Sequence, residues 1–270
     1  MFRSILLPTD GSAFSERIIP RVEQLLTEQK EGRVCLLQVL PPGENAEGEF
    51  RAATQQLSDL QQSFERRGLH ATYRVERGDP VEMIVNTIET TRPDLVAMAT
   101  HGRTGLTRLV RGSVSEGVLR HCTVPLLVCN THTHQGTEPS RFHRILIALD
   151  GSKLADGMLP LAREMSLLHG AEAVLFYAAP NEGAAAARRI ELEARAHEFE
   201  GTGIPKVELD IRVGEPAKEI LLAVERNRAD LLAMSTHGRT GFSRLRFGSV
   251  TEAVLREVPC PLLLRRSGLA

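Results

Sequence analysis

Two short runs of the chain carry residue types suited to holding phosphate: Thr100-His101-Gly102-Arg103-Thr104-Gly105 and its unchanged repeat Thr236-His237-Gly238-Arg239-Thr240-Gly241. Each follows an apolar strand-like segment and leads, through Gly112-Ser113-Val114 or Gly248-Ser249-Val250, into a helix-like one. Glycines lack Cβ atoms, so their backbone N–H groups approach an anion closely and adopt positive φ without penalty. Unpaired amides at a helix entrance add donors and partial positive charge. Gly102, Gly105, Gly112, Ser113 and Val114 are therefore candidate phosphate-binding residues, as are Gly238, Gly241, Gly248, Ser249 and Val250. The competing reading is a plain tight connection closed by a Ser N-cap. Two preserved copies, each expected opposite an acidic residue, favour binding. Neither GxxxxGK[ST] nor an early GxGxxG occurs, so P-loop hydrolase and dinucleotide oxidoreductase readings lose their main support.

Other chemistry-bearing residues point less far. Arg103, Arg108 and Arg111, with Arg239, Arg244 and Arg246, lie in the same loops and suit either phosphate or solvent. His101 and His237 recur beside the glycines, but no repeated acid–base or nucleophile partner accompanies them, so no catalytic residue is assigned. His132 and His134 form an HxH, and two ligands do not make a metal site. Asp10 and Asp150, each in an Asp-Gly-Ser run after the first apolar segment of its half, read as helix caps or as groups facing the loops.

The elements that must position these residues come from a duplication. Matches continue in register through Val118-Leu119-Arg120 with Val254-Leu255-Arg256 and Pro125-Leu126-Leu127 with Pro261-Leu262-Leu263. Asp10-Gly11-Ser12 and Pro20 match Asp150-Gly151-Ser152 and Pro160 at an offset four residues larger, which places a deletion in the second copy near Pro41-Pro42-Gly43. Two domains are expected, 1–130 and 142–270, joined by a polar linker at 131–141.

Each half alternates short apolar runs with amphipathic stretches, the pattern of parallel strands joined by crossover helices. Strands are expected at 5–7, 34–40, 72–75, 95–99 and 126–129, then 145–149, 174–178, 207–213, 231–235 and 262–264. Pro20 and Pro160 predict a kink or late start in the first helix of each half. The fold class is α/β: two tandem doubly wound, Rossmann-like sheets of five parallel strands, order 3-2-1-4-5. The ligand crevice then lies where the winding reverses, between strands one and four.

Composition bounds the partners. With 33 basic and 34 acidic residues the net charge is −1, which lacks the field a general nucleic-acid or acidic-membrane binder needs. No apolar run approaches the roughly 20 residues that span a bilayer, and a cytoplasmic location is expected. The four cysteines lie in or beside apolar runs without CxxC spacing, which reads as buried reduced thiols.

These residues resemble the universal stress protein family, in its tandem-domain form, over nearly the whole chain. The family's ATP-binding pattern is G-x2-G-x9-G-[ST]; Gly102-x9-Gly112-Ser113 and Gly238-x9-Gly248-Ser249 match its last three elements, while Ala99 and Ser235 replace its first glycine. The resemblance implies ATP, accompanied by Mg²⁺, as the ligand. It implies that Asp10 and Asp150 contact the adenosine and that Val39 and Ala178 lie by the adenine. It further implies pairing of the two domains through their last strands; a homodimer of whole chains is a separate expectation, which the sequence does not settle. The leading expectation is an ATP-binding stress-response or regulatory protein without a dedicated catalytic site. The alternatives are a slow ATPase or nucleotidyl transferase of the same fold, and a ligand-free interaction module.

Overall fold

A computed structural model describes residues 2–29, 31–43, 46–100, 114–133, 141–236 and 248–266. The chain divides into two units, residues 1–129 with 135–140, and residues 130–134 with 141–270.

In the first unit β1 (Ser4–Thr9), β2 (Arg33–Leu40), β3 (His70–Arg77), β4 (Leu95–Ala99) and β5 (Leu126–Cys129) form a parallel sheet in the order β3-β2-β1-β4-β5. Its helices are α1 (Ile19–Thr27), α2 (Ala46–Arg66), α3 (Pro80–Thr91) and α4 (Val114–His121). The second unit repeats this with β6 (Arg144–Leu149), β7 (Glu172–Ala179), β8 (Val207–Val213), β9 (Leu231–Ser235) and β10 (Leu262–Arg265), β9 lying between β6 and β10. Its helices are α5 (Lys153–Asp156), α6 (Leu159–His169), α7 (Glu182–Glu200), α8 (Pro216–Arg226) and α9 (Ser249–Glu257). The doubly wound α/β expectation holds in both units.

Strands buried on both faces read as continuous apolar runs, and β4, β5, β6 and β9 are such runs, buried almost throughout. β3 and β8, at the outer edges next to β2 and β7, alternate with charged residues and are half exposed, which discourages edge pairing. Right-handed crossovers put α1 and α2 on one face of the first sheet and α3 and α4 on the other, where those two helices pack together.

The prolines act as late starts. Pro20 occupies the first turn of α1, after a short 3-10 turn at Ser15–Ile18, and Pro160 the first turn of α6. There the missing N–H would have had no intrahelical partner. α3 and α8 start alike: Asp79 accepts from the Glu82 amide at 3.0 Å, Glu215 accepts from the Lys218 amide at 2.9 Å, and Pro follows each cap.

The deletion is distributed differently from the expectation. Ser4 pairs with Arg33, whereas its equivalent Arg144 pairs with Glu172, so one residue is already lost before β7. Val34 pairs with Ala71 and Ala173 with Val207, which places the other three between β7 and β8. The turn after α1 contains Glu31 at φ 69° and Gly32, where the second copy turns on Gly170 at φ 64°. A tighter left-handed turn there absorbs the first lost residue.

Candidate functional site

The crest of each sheet, at the strand C-termini, is set by register. At the far end of the strands Asp94 accepts from the Ser4 amide (2.9 Å), and Asp230 accepts from His143 and Arg144 amides (2.8 and 3.0 Å). These bonds fix β1 against β4 and β6 against β9. From the pairs Thr9 with Gln38 and Leu6 with Val96, continuing the register puts Asp10 level with Val39 and Thr100. The pairs Leu149 with Tyr177 and Ala148 with Met234 put Asp150 level with Ala178 and Thr236 in the same way. Both crests lie where the winding reverses, the general ligand position of open α/β sheets.

Asp10 and Asp150 are not helix caps. The Ser12 amide and hydroxyl donate to Asp10 Oδ1 at 3.0 and 2.6 Å, and Ser152 does the same to Asp150 at 2.9 and 2.6 Å. The serine then caps the following turn, accepting from the Ser15 or Ala155 amide at 3.1 Å. Gly11 and Gly151 bridge each Asp–Ser pair at φ +77°, a left-handed conformation in which a side chain would be strained. Desolvation raises the Asp10 pKa, but bonds from the Ser12 side chain and amide and from Ser15 outweigh it and hold the carboxyl below its ordinary value. Asp10 therefore stays an anion and acceptor at neutral pH. Above the loops, Gln56 of α2 donates to the Gly11 carbonyl at 2.7 Å, and the Arg188 guanidinium of α7 covers Gly151 while pairing with Glu191.

Val39 and Ala178 are half-buried near the ends of β2 and β7, and Ala99 is half-buried at the end of β4. Ser235 is buried, its hydroxyl donating to the Leu154 carbonyl at 3.2 Å. At the pattern's missing glycine, the second unit thus commits its side chain to protein, and the first has no hydroxyl to commit.

At the second crest Gly248 is the residue before α9, at φ −60° and ψ 142°. The expectation of positive φ is therefore corrected here: the backbone is extended, a conformation open to any residue. A Cβ at Gly248 would meet the Thr236 carbonyl only at 3.5 Å. Neither strain nor crowding by the described residues calls for glycine at this position. Gly248, as the cap residue of α9, has no side chain to cap it, and Ser249 and Val250 stand in the helix's first turn, where amides lack intrahelical partners. Val114, its equivalent in α4, is exposed. Gly102, Gly105, Gly112, Ser113, Gly238 and Gly241 lie outside the described residues, as do His101, His237 and the six loop arginines.

Sequence reasoning missed a hydroxyl contact that anchors each helix entrance to the crest. Ser115 donates to Thr100 Oγ1 at 2.8 Å, and the equivalent Thr251 donates to the Thr236 carbonyl at 3.2 Å. The signal was present, because a hydroxyl residue recurs at both positions of both copies. Among the described residues no group of three His, Cys, Asp or Glu is placed to hold a metal ion. No helix there is long and apolar enough to cross a membrane. None of the four cysteines is in a disulfide; burial pushes the Cys129 thiol up to about 12.

Comparison with known proteins agrees with this fold. A universal stress protein of Thermus aquaticus is 34% identical over 136 residues, covering 46% of this chain and 99% of that protein. One from Methanocaldococcus jannaschii is 27% identical over 154 residues, covering 47% of this chain and 94% of its own length. The crystal structure of a universal stress protein from Archaeoglobus fulgidus superposes with a TM-score of 0.82 at 26% identity, over 99% of this chain and 100% of that one. The Universal stress protein family model matches residues 1–130 and again 141–266. Matched in both halves, the chain belongs to the universal stress protein family and carries that family's domain twice.

Proposed function

We propose that each unit binds one adenine nucleotide at its crest, ATP accompanied by Mg²⁺, and that occupancy regulates the chain in a stress response without a dedicated catalytic site. The observation that carries this reading is the register that sets Asp150 level with Ala178 and Thr236, beside the entrance of α9, where the cap residue Gly248 carries no side chain. An adenosine fits the carboxylate and the small apolar residue, and phosphates fit the amides of Ser249 and Val250. In the first unit Asp10, Val39 and Val114 take the corresponding roles, with Gly102, Gly105, Gly112 and Ser113. Gly238 and Gly241 complete the second loop, and Ala99 and Ser235 stand at its approach and that of its twin.

A ligand that binds only folded protein stabilises it by about 2.7 kcal/mol at a hundredfold excess over its Kd. Thermal unfolding with ATP, ADP and AMP, each with and without Mg²⁺, tests the proposal. A raised melting temperature with an adenine nucleotide, reduced on replacing Asp10 and Asp150 by Ala, supports it; indifference to all of them defeats it. Domain boundaries at 130 and 142, pairing through the last strands, a homodimer of whole chains and a cytoplasmic site of action belong to the same proposal. Solution mass at several concentrations tests the homodimer.

A further inference from the structure

In the first unit α2 rises past the end of its sheet. Near the foot of the sheet Gln61 donates from Nε2 to the carbonyl of Ala71, the second residue of β3, at 2.9 Å, and at the crest Gln56 donates to the Gly11 carbonyl at 2.7 Å. Phe50 stands six residues nearer the start of the helix, about 9 Å beyond Gln56 at 1.5 Å per residue. It shares one stripe of α2 with Ala53, Leu57 and Phe64, at spacings of three, four and seven. Those three are at most 4% exposed, whereas Phe50 is 43% exposed. The stripe that packs α2 on the sheet therefore continues above the crest, where it ends in a half-open aromatic ring.

Below that ring lies a polar group out of keeping with a core. Gln38 is level with Thr9, so both side chains leave the sheet on one face. Thr9 Oγ1 meets Ser15 Oγ at 2.8 Å, and Ser15 opens the 3-10 turn that leads into α1, so this is the face that α1 and α2 cover. Gln38 is 7% exposed, and among the described residues its Oε1 has no hydrogen-bond partner. A buried acceptor left without a donor is costly, and native interiors hold few of them.

We infer that a nucleotide at the first crest lays its adenine between the end of β2 and the upper turns of α2, one face of the base against the Phe50 ring and its amino group donating to the Gln38 amide. The inference rests on the nucleotide reading above and adds where the base lies and what recognises it. An aromatic ring stacks on any base, so Phe50 supplies strength. The unpaired oxygen of Gln38 supplies choice, because adenine has an amino donor where guanine has a carbonyl acceptor. The second unit builds this wall from other residues. Its buried stripe of Ala185, Leu192 and Phe199 puts Ala185 at the place of Phe50, and Tyr177, level with Leu149, stands at the place of Gln38.

The chain has no tryptophan, so Phe50→Trp gives it a single indole, at the first crest. ATP is expected to quench that emission, and inorganic triphosphate, which has no base, is expected to leave it unchanged. In Phe50→Trp/Gln38→Leu the ATP midpoint is expected to rise about fivefold, the equivalent of one net hydrogen bond, with the preference for ATP over GTP narrowed by that factor. The ligand-free double variant is expected to unfold no more easily than Phe50→Trp, since an unpaired polar group has left the interior. A glutamine with a merely structural role gives the reverse, a loss of stability with the midpoint unmoved. Where Phe50→Trp folds poorly, Phe50→Ala followed through the Val39 methyl signals serves, with an ATP midpoint raised at least about fivefold by the loss of stacking. Thermal stabilisation by ATP with the indole emission unchanged, or a midpoint indifferent to Gln38→Leu, overturns the inference and leaves nucleotide binding standing. Absence of stabilisation by every adenine nucleotide overturns both.

Discussion

At Gly11 two constraints coincide, and they can be separated. The backbone sits at φ +77°, and a Cβ would come within 2.4 Å of Gln56 Oε1. The amide end of a glutamine swings away for the loss of its bond to the Gly11 carbonyl, whereas left-handed φ costs a substituted residue about 1–2 kcal/mol whatever Gln56 does. Gly11→Ala is therefore expected to lower unfolding stability by at least that amount, and Gln56→Ala is expected not to rescue it in denaturant titrations of the double variant. A second residue-scale expectation concerns acid. Desolvation raises the Asp210 pKa, but bonds from Arg226, Asn227 and Arg212 overcome it and leave the carboxyl below its ordinary value. A depressed carboxyl contributes stability that is complete above the unfolded value, about 3.9, and is lost as pH falls through the lower folded value. Asp210→Asn is expected to cost about 1–2 kcal/mol at neutral pH, since both arginines are partly exposed, and to flatten the acid side of the stability profile measured by urea unfolding. At this scale the sequence was legible where the copies agree and opaque where they differ. Asp10 and Asp150 stood out by recurrence. Thr9 and Ser15 did not, because their counterparts are Leu149 and Ala155, and only the fold shows that a turn brings the two hydroxyls together.

Among elements, the pair α3 and α4 shows how a helix interior tolerates glycine. A Cβ on Gly117 would lie 2.5 Å from Val81 Cγ2, so the absent side chain lets the two helices approach. The equivalents in α8 and α9 are Ala217 and Ala253. The volume has moved from one helix to both. Helix propensity alone makes Gly117→Ala stabilising by about 1 kcal/mol. Overpacking of a fixed neighbour costs about 1–3 kcal/mol and should win. Gly117→Ala is thus expected to destabilise, and Gly117→Ala/Val81→Ala to return to the original stability or above it, as read from denaturant midpoints. The strands were legible to within two residues because buried parallel strands leave continuous apolar runs. The deletion before β7 was not, since a turn at positive φ shortens a connection without leaving a residue pattern to match.

For the whole molecule, the boundary between the repeats has a chemical basis. Asn130 follows β5 directly, yet it is buried with the second unit: its side-chain nitrogen donates to the Leu255 carbonyl of α9 at 2.8 Å, and its oxygen accepts from the His132 and Thr133 amides at 2.8 Å each. A fragment beginning at residue 130 is therefore expected to be more stable than one beginning at 142 by about 1–2 kcal/mol, because the shorter piece leaves that carbonyl unsatisfied. Thermal unfolding of the two fragments measures the difference. Periodicity and recurrence disclosed the duplicated architecture, whereas composition called 131–141 a polar linker without showing that its first residues are anchored by a buried amide.

The redistribution of bulk between Val81 with Gly117 and Ala217 with Ala253 reaches beyond packing. Genes holding two similar stretches recombine within themselves, and such exchange tends to make the stretches identical. Here a crossover falling between the two helices would join valine to alanine, producing collision, or alanine to glycine, producing a void. Either hybrid is expected to fold less well than its parents. A few methyl groups thus set which helix of one half can stand in for its counterpart in the other.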